Sequence, residues 1–274
     1  MADIFPDKAQ QAKFDKDGYA IVDLLTEDQC DEILATHSQF DPQISDVFYA
    51  TQNSLNYEYR RSVEEYLRPI LQIAVSKTIN DYRVLYSQYM VKRPGKDGEC
   101  HMHQDWNYVR EPEHFSIHLW CPLQDVDENN GCMWVMPGTH RLYNFVRGRN
   151  IERAILPTQD LIRKFMSPVR LKKGQAMLSH SSLIHESRNN ISEKDRIAIL
   201  SPLLPVSVPA IHYMRQSEHD MKVNELKVDG DFFVDYSCQT EPVDYHVTSE
   251  FDHPHISFSK WDIVLTWLKY KAGL

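Results

Sequence analysis

A chain of 274 residues, 42% hydrophobic and 25% charged, is long and apolar enough to bury a sizeable core and has the composition of an ordinary soluble globular protein. A formal net charge of -9 excludes a dominant nucleic-acid footprint, which needs a basic face, and no apolar run approaches the ~20 residues that span a membrane. The cysteines Cys30, Cys100, Cys121, Cys132 and Cys238 are odd in number and form no CxxC pair, so reduced thiols are expected rather than a disulfide scaffold or a cysteine zinc site. The opening MADIFPDKAQ has no basic stretch ahead of an apolar one. The expectation is therefore a cytoplasmic protein acting on a small molecule, with no nucleic-acid or membrane partner. The pattern leaves the oligomeric state open.

In chain order, FDKDGYAIVDLLTEDQCDEILATHSQF predicts a short strand from Tyr19 to Asp23 and then a helix, with Thr26 as N-cap and Gln29 completing a capping box. Arg60 to Lys77 carries a helical stripe of Val63, Leu67, Ile70, Leu71 and Ala74, which Pro69 is expected to end or kink. From residue 84 the texture changes. Val84 to Val91, Phe115 to Cys121, Cys132 to Met136, Ala176 to His180, Arg196 to Leu203 and Ala210 to Met214 are short runs rich in Tyr, Trp, Val and Ile. Gly, Pro, Asn and Asp separate them, which predicts an antiparallel sandwich or barrel. A long excursion, 141–166, interrupts the series, and long excursions inside compact domains are commonly functional. In the tail, Trp261, Val264, Leu265 and Leu268 predict an amphipathic helix packed on the sheet.

The chemistry centres on ECHMHQDWNY, residues 99–108, where His101, His103 and Asp105 alternate. In an extended segment, residues two apart point the same way, so His103 and Asp105 can present an imidazole and a carboxylate to one point. A third ligand must come from elsewhere, and the best-placed candidate is His185, just after a predicted strand and eleven residues before Arg196. Two histidines and one carboxylate make a facial triad that suits a non-haem Fe(II) oxygenase, because it leaves positions open for a co-substrate and O₂. The rival pattern is a zinc hydrolase of the metallo-β-lactamase type, with His101 and His103 both ligands. That motif needs a histidine where this chain has Trp106.

The chain resembles the phytanoyl-CoA hydroxylase (PhyH) family of Fe(II)/2-oxoglutarate-dependent dioxygenases. The likeness runs in order through FDKDGYAIVDLLTEDQC, HMHQDWNY, NNGCMWVMPGTHR and IHESRNNISEKDRIAI. It implies a mainly β fold with flanking helices and a double-stranded β-helix core of jelly-roll, cupin-like form. The whole chain is then one domain: a helical N-terminal part to residue 80, a β core over 84–214 with the 141–166 insertion as a lid, and a closing helix at 260–272. The resemblance implies Fe(II) held by His103, Asp105 and His185, with 2-oxoglutarate and O₂ as co-substrates. Arg196 and Ser187 would meet the distal carboxylate of 2-oxoglutarate, with Lys92 and Trp120 beside it. Because Asp105 stands where related halogenases have Gly or Ala, hydroxylation of an aliphatic C–H bond is expected, with release of succinate and CO₂. A silent family member that only binds is the other alternative. Position alone makes Gln88, Tyr86 and Tyr108 candidates for the substrate wall. Arg141, Arg147, Arg149 and Arg153, set against a single Glu152, suggest a basic lid and an anionic substrate.

Overall fold

The computed structural model describes residues 3–273 apart from 41–43, 143, 144, 218 and 244. Tyr143 and Asn144 of the expected insertion therefore lie outside the described residues. Helix α1 (Lys8–Asp17) starts where the Asp7 side chain accepts from Ala9 and Gln10, and stops at Gly18. The expected strand follows as β1 (Tyr19–Asp23), and α2 (Glu27–His37) opens with both halves of the Thr26–Gln29 capping box formed. After β2 (Phe48–Ala50), α3 (Tyr57–Thr78) runs 22 residues straight through Pro69. Pro69 and Glu65 are both exposed, so water can serve the Glu65 carbonyl that the proline leaves without an amide partner.

The expected strand over 84–91 is two strands, β3 (Tyr82–Val84) and β4 (Gln88–Lys92). Between them the Ser87 amide turns aside to the buried carboxylate of Glu64. There follow β5 (Cys100–His103), β6 (Ile117–Pro122), β7 (Met133–Val135), α4 (Gln159–Arg163), β8 (Ser167–Val169), β9 (Gln175–His180), β10 (His185–Ser187) and β11 (Arg196–Pro205). The chain ends with β12 (Ile211–Met214), β13 (Lys222–Lys227), α5 (Phe232–Asp235), β14 (His246–Asp252) and α6 (Lys260–Ala272).

Two antiparallel sheets make the jelly roll. One has the order β1-β9-β6-β11-β4-β2 with β3 on β11, and the other β5-β10-β7-β8. Period-two alternation divides β6 between two cores. Ile117, Leu119 and Cys121 face outward onto Phe14, Ile33, Val63, Leu67 and Leu71 of the N-terminal helices. Trp120 faces inward, where it meets Met177 and Ala198 of the large sheet and Cys132, Met133, Val135 and Val169 from the small-sheet side.

Three expectations are corrected. Ile211–Met214 belongs to a third sheet, β12-β13-β14, outside the jelly roll. The N-terminal part contributes β1 and β2 to the large sheet, so the core begins well before residue 84. Helix α6 buries the other face from the one expected: Ile263 is fully buried and Trp267 stacks on Phe165 at 4.9 Å. Trp261, Leu265 and Leu268 stay 74%, 51% and 50% exposed. Ile263 and Trp267, four apart, define a second apolar face that competes with the first, and it joins a cluster with Ile155, Ile162, Phe165 and Met166 of the insertion and Met102 and Trp134 of the small sheet. No described helix is long and apolar enough to cross a membrane.

Candidate metal centre

Strand register builds the first part of the site. β10 pairs with β5 antiparallel, with His185 directly opposite His103, so two residues far apart in sequence become cross-strand neighbours. Their rings lie 4.2 Å apart, centroid to centroid. β5 ends at His103, and Asp105 stands just beyond it rather than in the extended strand the spacing suggested. Its amide donates to Ser181 O at 2.8 Å, and its carbonyl accepts from Arg147 Nε at 2.8 Å. Oδ1 of Asp105 is then 3.5 Å from Nε2 of His103 and 3.9 Å from Nε2 of His185.

The donor set fits a metal ion. One ligand atom each from His103, Asp105 and His185 fall within 4.8 Å of one another. Nδ1 of His103 lies 2.7 Å from His101 O, and Nδ1 of His185 2.9 Å from Leu183 O. With Nδ1–H donating to a carbonyl, each Nε2 lone pair is left for the shared centre. Burial and the neighbouring His103 bring His185 down to about 4, so it is neutral and ready to ligate near neutral pH. Burial would raise the Asp105 carboxyl, but the imidazoles of His118, His185 and His103 outweigh it and hold Asp105 below the usual carboxylate range. His101 is exposed at the rim and takes no part in the cluster except through its carbonyl. Trp106 packs on His212 at 5.0 Å. Among the described residues His101 joins no metal-ligand group, as the zinc-hydrolase arrangement would need.

A second feature lies deeper in the roll. Arg196 is 1% exposed, with Nη1 donating to Met90 O at 3.2 Å and no partner for its Nε. Its guanidinium lies 5.4 Å from the Trp120 ring. Among the described residues no carboxylate pairs with it, so the surface contact with Glu193 or Asp195 that its position allowed is not made. Its register partner is Lys92, also buried. Burial, then the nearby Arg196, pull Lys92 down to about 7, and burial pulls Arg196 to about 10. Two adjacent buried cations without an anion make a site that favours one. The Lys92 ammonium is itself turned to the carbonyls of Ser187 and Arg188, at 2.8 and 2.6 Å. Ser187 follows His185 by two on β10 and is buried. Gly131, at φ 82, lets the NNGC turn close over this end, because a Cβ there would crowd Arg188 O at 2.9 Å.

The expected substrate residues fare differently. A cavity of about 460 Å³ opens beside His103, lined among others by Phe48, Trp106, Phe145, Arg147, Ile151 and Arg153. Arg147 lines it but has spent its charge: Nη2 lies 2.9 Å from both carboxylate oxygens of Glu111, and both side chains are buried. Arg149 bonds Thr240 O and Glu241, and Arg141 reaches Asp15 O. Two of the four arginines of the basic lid, Arg147 and Arg149, are thus paired with acids distant in sequence. Arg153 is exposed on the rim, and no acid pairs with it among the described residues. Tyr86 and Tyr108 do not line the cavity. Their hydroxyls meet at 2.9 Å inside a closed aromatic cluster with Phe233. Gln88 is buried on β4 with its Oε1 unpartnered, also away from that mouth. The sequence reading passed over His118, whose Nδ1 is 3.2 Å from Asp105 Oδ2. Its only signal was a lone imidazole at an inward position of the apolar run FSIHLWC.

Comparison with known proteins gives the family and the fold. The family model described as phytanoyl-CoA dioxygenase (PhyH) matches residues 14–198. The phytanoyl-CoA dioxygenase of Arabidopsis thaliana is 35% identical over 118 residues, 42% of each chain. Phytanoyl-CoA dioxygenase domain-containing protein 1 of Danio rerio is 32% identical over 121 residues, 41% of this chain and 42% of that one. The matched part is thus well under half the length of these relatives. Among solved structures, the non-heme alpha ketoglutarate dependent carbocyclase SnoK from nogalamycin biosynthesis superposes with a TM-score of 0.55 at 18% identity, covering 78% of this chain and 88% of that one. The epimerase SnoN, solved with Fe3+, alpha ketoglutarate and nogalamycin RO, gives 0.54 at 17% identity over 74% and 85%. At such identities the two structures establish the common fold.

Proposed function

From the membership of this chain in the phytanoyl-CoA dioxygenase family, we propose that it is an Fe(II)- and 2-oxoglutarate-dependent oxygenase. It hydroxylates an aliphatic C–H bond of a small organic anion and releases succinate and CO₂. One observation carries the reading: a His-Asp-His cluster and a buried arginine that meets no carboxylate among the described residues occupy the interior of one jelly roll.

His103, Asp105 and His185 would hold Fe(II), and a set of two histidines and one carboxylate leaves room for further ligands. The bound Fe(II) and 2-oxoglutarate supply the oxidising chemistry, in which O₂ is reduced as 2-oxoglutarate is decarboxylated. Arg196 receives the distal carboxylate of 2-oxoglutarate on its planar fork, and the unpartnered Nε supports that role. Ser187, on the face of β10 that carries His185, adds a hydroxyl, and Trp120 closes the wall beside the guanidinium. Lys92 acts through the end of β10, holding the carbonyls of Ser187 and of Arg188 just beyond it. Arg147 fixes the strap of the insertion to the main chain of Asp105 and so shapes the mouth without meeting substrate charge. Arg153, on the rim of the cavity and without an acidic partner among the described residues, is the group that supports an anionic substrate.

Succinate release, screened against a panel of small carboxylates and phosphates, tests the reading. Turnover should require Fe(II), 2-oxoglutarate and a prime substrate, and His103→Ala and Asp105→Ala should each abolish it. Full turnover in both variants would overturn the assignment.

A further inference from the structure

The two oxygens of Asp105 have different neighbours. Oδ1 faces Nε2 of His103 and of His185, at 3.5 and 3.9 Å. Oδ2 faces Nδ1 of His118, at 3.2 Å. His118 comes from β6, two residues before Trp120 and so on the same inward face of that strand. The residue is 4% exposed, and its ring packs on Tyr108 with centroids 5.6 Å apart. Neither ring nitrogen completes a well-aligned hydrogen bond. A buried polar group in that state costs more than an apolar side chain of the same shape. The imidazole is therefore poorly explained by packing. Of the charged groups that act on it, Asp105 is the one acid, opposed by His103 and Arg147.

We propose that His118 is a positioning residue that holds Oδ2 of Asp105, so that Oδ1 alone is presented to the metal. The inference rests on the reading that His103, Asp105 and His185 bind the metal. A carboxylate free to turn can place both oxygens on an ion and take up a second coordination position. Held by its outer oxygen, Asp105 occupies one position and leaves the open face for ligands other than protein. Partners of this kind typically change metal affinity by about 10–100-fold when removed.

The test uses the full chain, metal-free, with Co(II) as the probe. Affinity is read by titration calorimetry, coordination number by the intensity of the visible Co(II) bands, and fold by thermal melting of the metal-free protein. His118→Phe keeps the shape and removes the donor. His118→Asn restores an N–H near the position of Nδ1. The Phe variant should bind Co(II) about 10–100-fold more weakly with altered band intensity, at an unchanged or higher melting temperature. The Asn variant should recover most of the affinity and the wild-type spectrum. Wild-type affinity and spectrum in the Phe variant would overturn the proposal and leave the metal-site reading intact. Loss of the fold in both variants would also overturn it, since His118 would then serve the core. A folded wild-type chain that binds no Co(II) would overturn the metal-site reading and the proposal together.

Discussion

Arg196 separates a co-substrate site from an ordinary core most sharply. It is buried, its Nε has no partner, and its register neighbour is another cation. Removing one partner of a buried charged pair costs ~2 kcal/mol or more, so Arg196→Met should raise the half-saturating 2-oxoglutarate concentration at least about thirty-fold. Initial rates of succinate release against 2-oxoglutarate check this, and an unchanged value would remove Arg196 from the site. Arg147 makes the opposite case. Its ion pair with Glu111 is buried, and leaving one partner alone in such a pair costs ~3–5 kcal/mol. Arg147→Met should therefore lower the unfolding midpoint markedly, and adding Glu111→Gln should recover much of the loss. A residue that met only substrate would leave stability unchanged. The contrast shows what the sequence could reveal at this scale. His103, Asp105, His185 and Arg196 stand in motifs with fixed spacing. Glu111, which takes the charge of Arg147, lies 36 residues from it along the chain, and no local pattern marks the pair.

At the scale of elements, capping and alternation were legible and the choice of packing partner was not. Thr26 and Gln29 cap α2 as their spacing implies, and β1 has the predicted bounds. Helix α6 had two apolar faces, and the cluster that takes in Ile263 and Trp267, with Phe165 of the insertion stacked on Trp267, decides between them. Pro69 fails to break α3 because its face of the helix is exposed and water can serve the freed carbonyl. An interior proline costs ~3 kcal/mol in helix formation and returns ~0.4–1 kcal/mol by restricting the unfolded chain. Pro69→Ala should then stabilise the protein by about 2–2.6 kcal/mol in denaturant unfolding. The strap at the mouth behaves differently. The amide of Arg149 donates to Tyr213 O at 3.0 Å, and its carbonyl accepts from the amide of Arg215 at 3.1 Å, which ties the insertion to β12. A Cβ on Gly148 would run into the Tyr213 carbonyl. Gly148→Ala should release the strap, read as faster proteolysis between residues 141 and 155 and weaker substrate saturation, with the metal affinity kept.

For the whole molecule, the jelly roll follows from short β-rich runs, but the third sheet does not. Its strands look like those of the core, and pairing over long sequence separations has no local signature. The molecule carries several buried neutral histidines: burial takes His140 and His185 to about 4 and, in the third sheet, His212 to about 3, from an ordinary 6.5. A depressed pKa means that the unfolded chain binds more protons between the two values, so stability rises with pH across that window. The metal-free protein should be most stable above about pH 6.5 and lose stability steadily toward pH 4. Denaturant midpoints across that range check the sign, and a flat profile would contradict it.

The central claim is that one interior site takes Fe(II) and 2-oxoglutarate together. Anaerobic titration tests it most directly. Adding 2-oxoglutarate to the Fe(II)-loaded chain should produce a weak visible charge-transfer band that saturates, and the band should be absent in Asp105→Ala and shifted to higher 2-oxoglutarate in Arg196→Met. A folded wild-type chain that takes up Fe(II) but shows no band at any 2-oxoglutarate concentration would contradict the account.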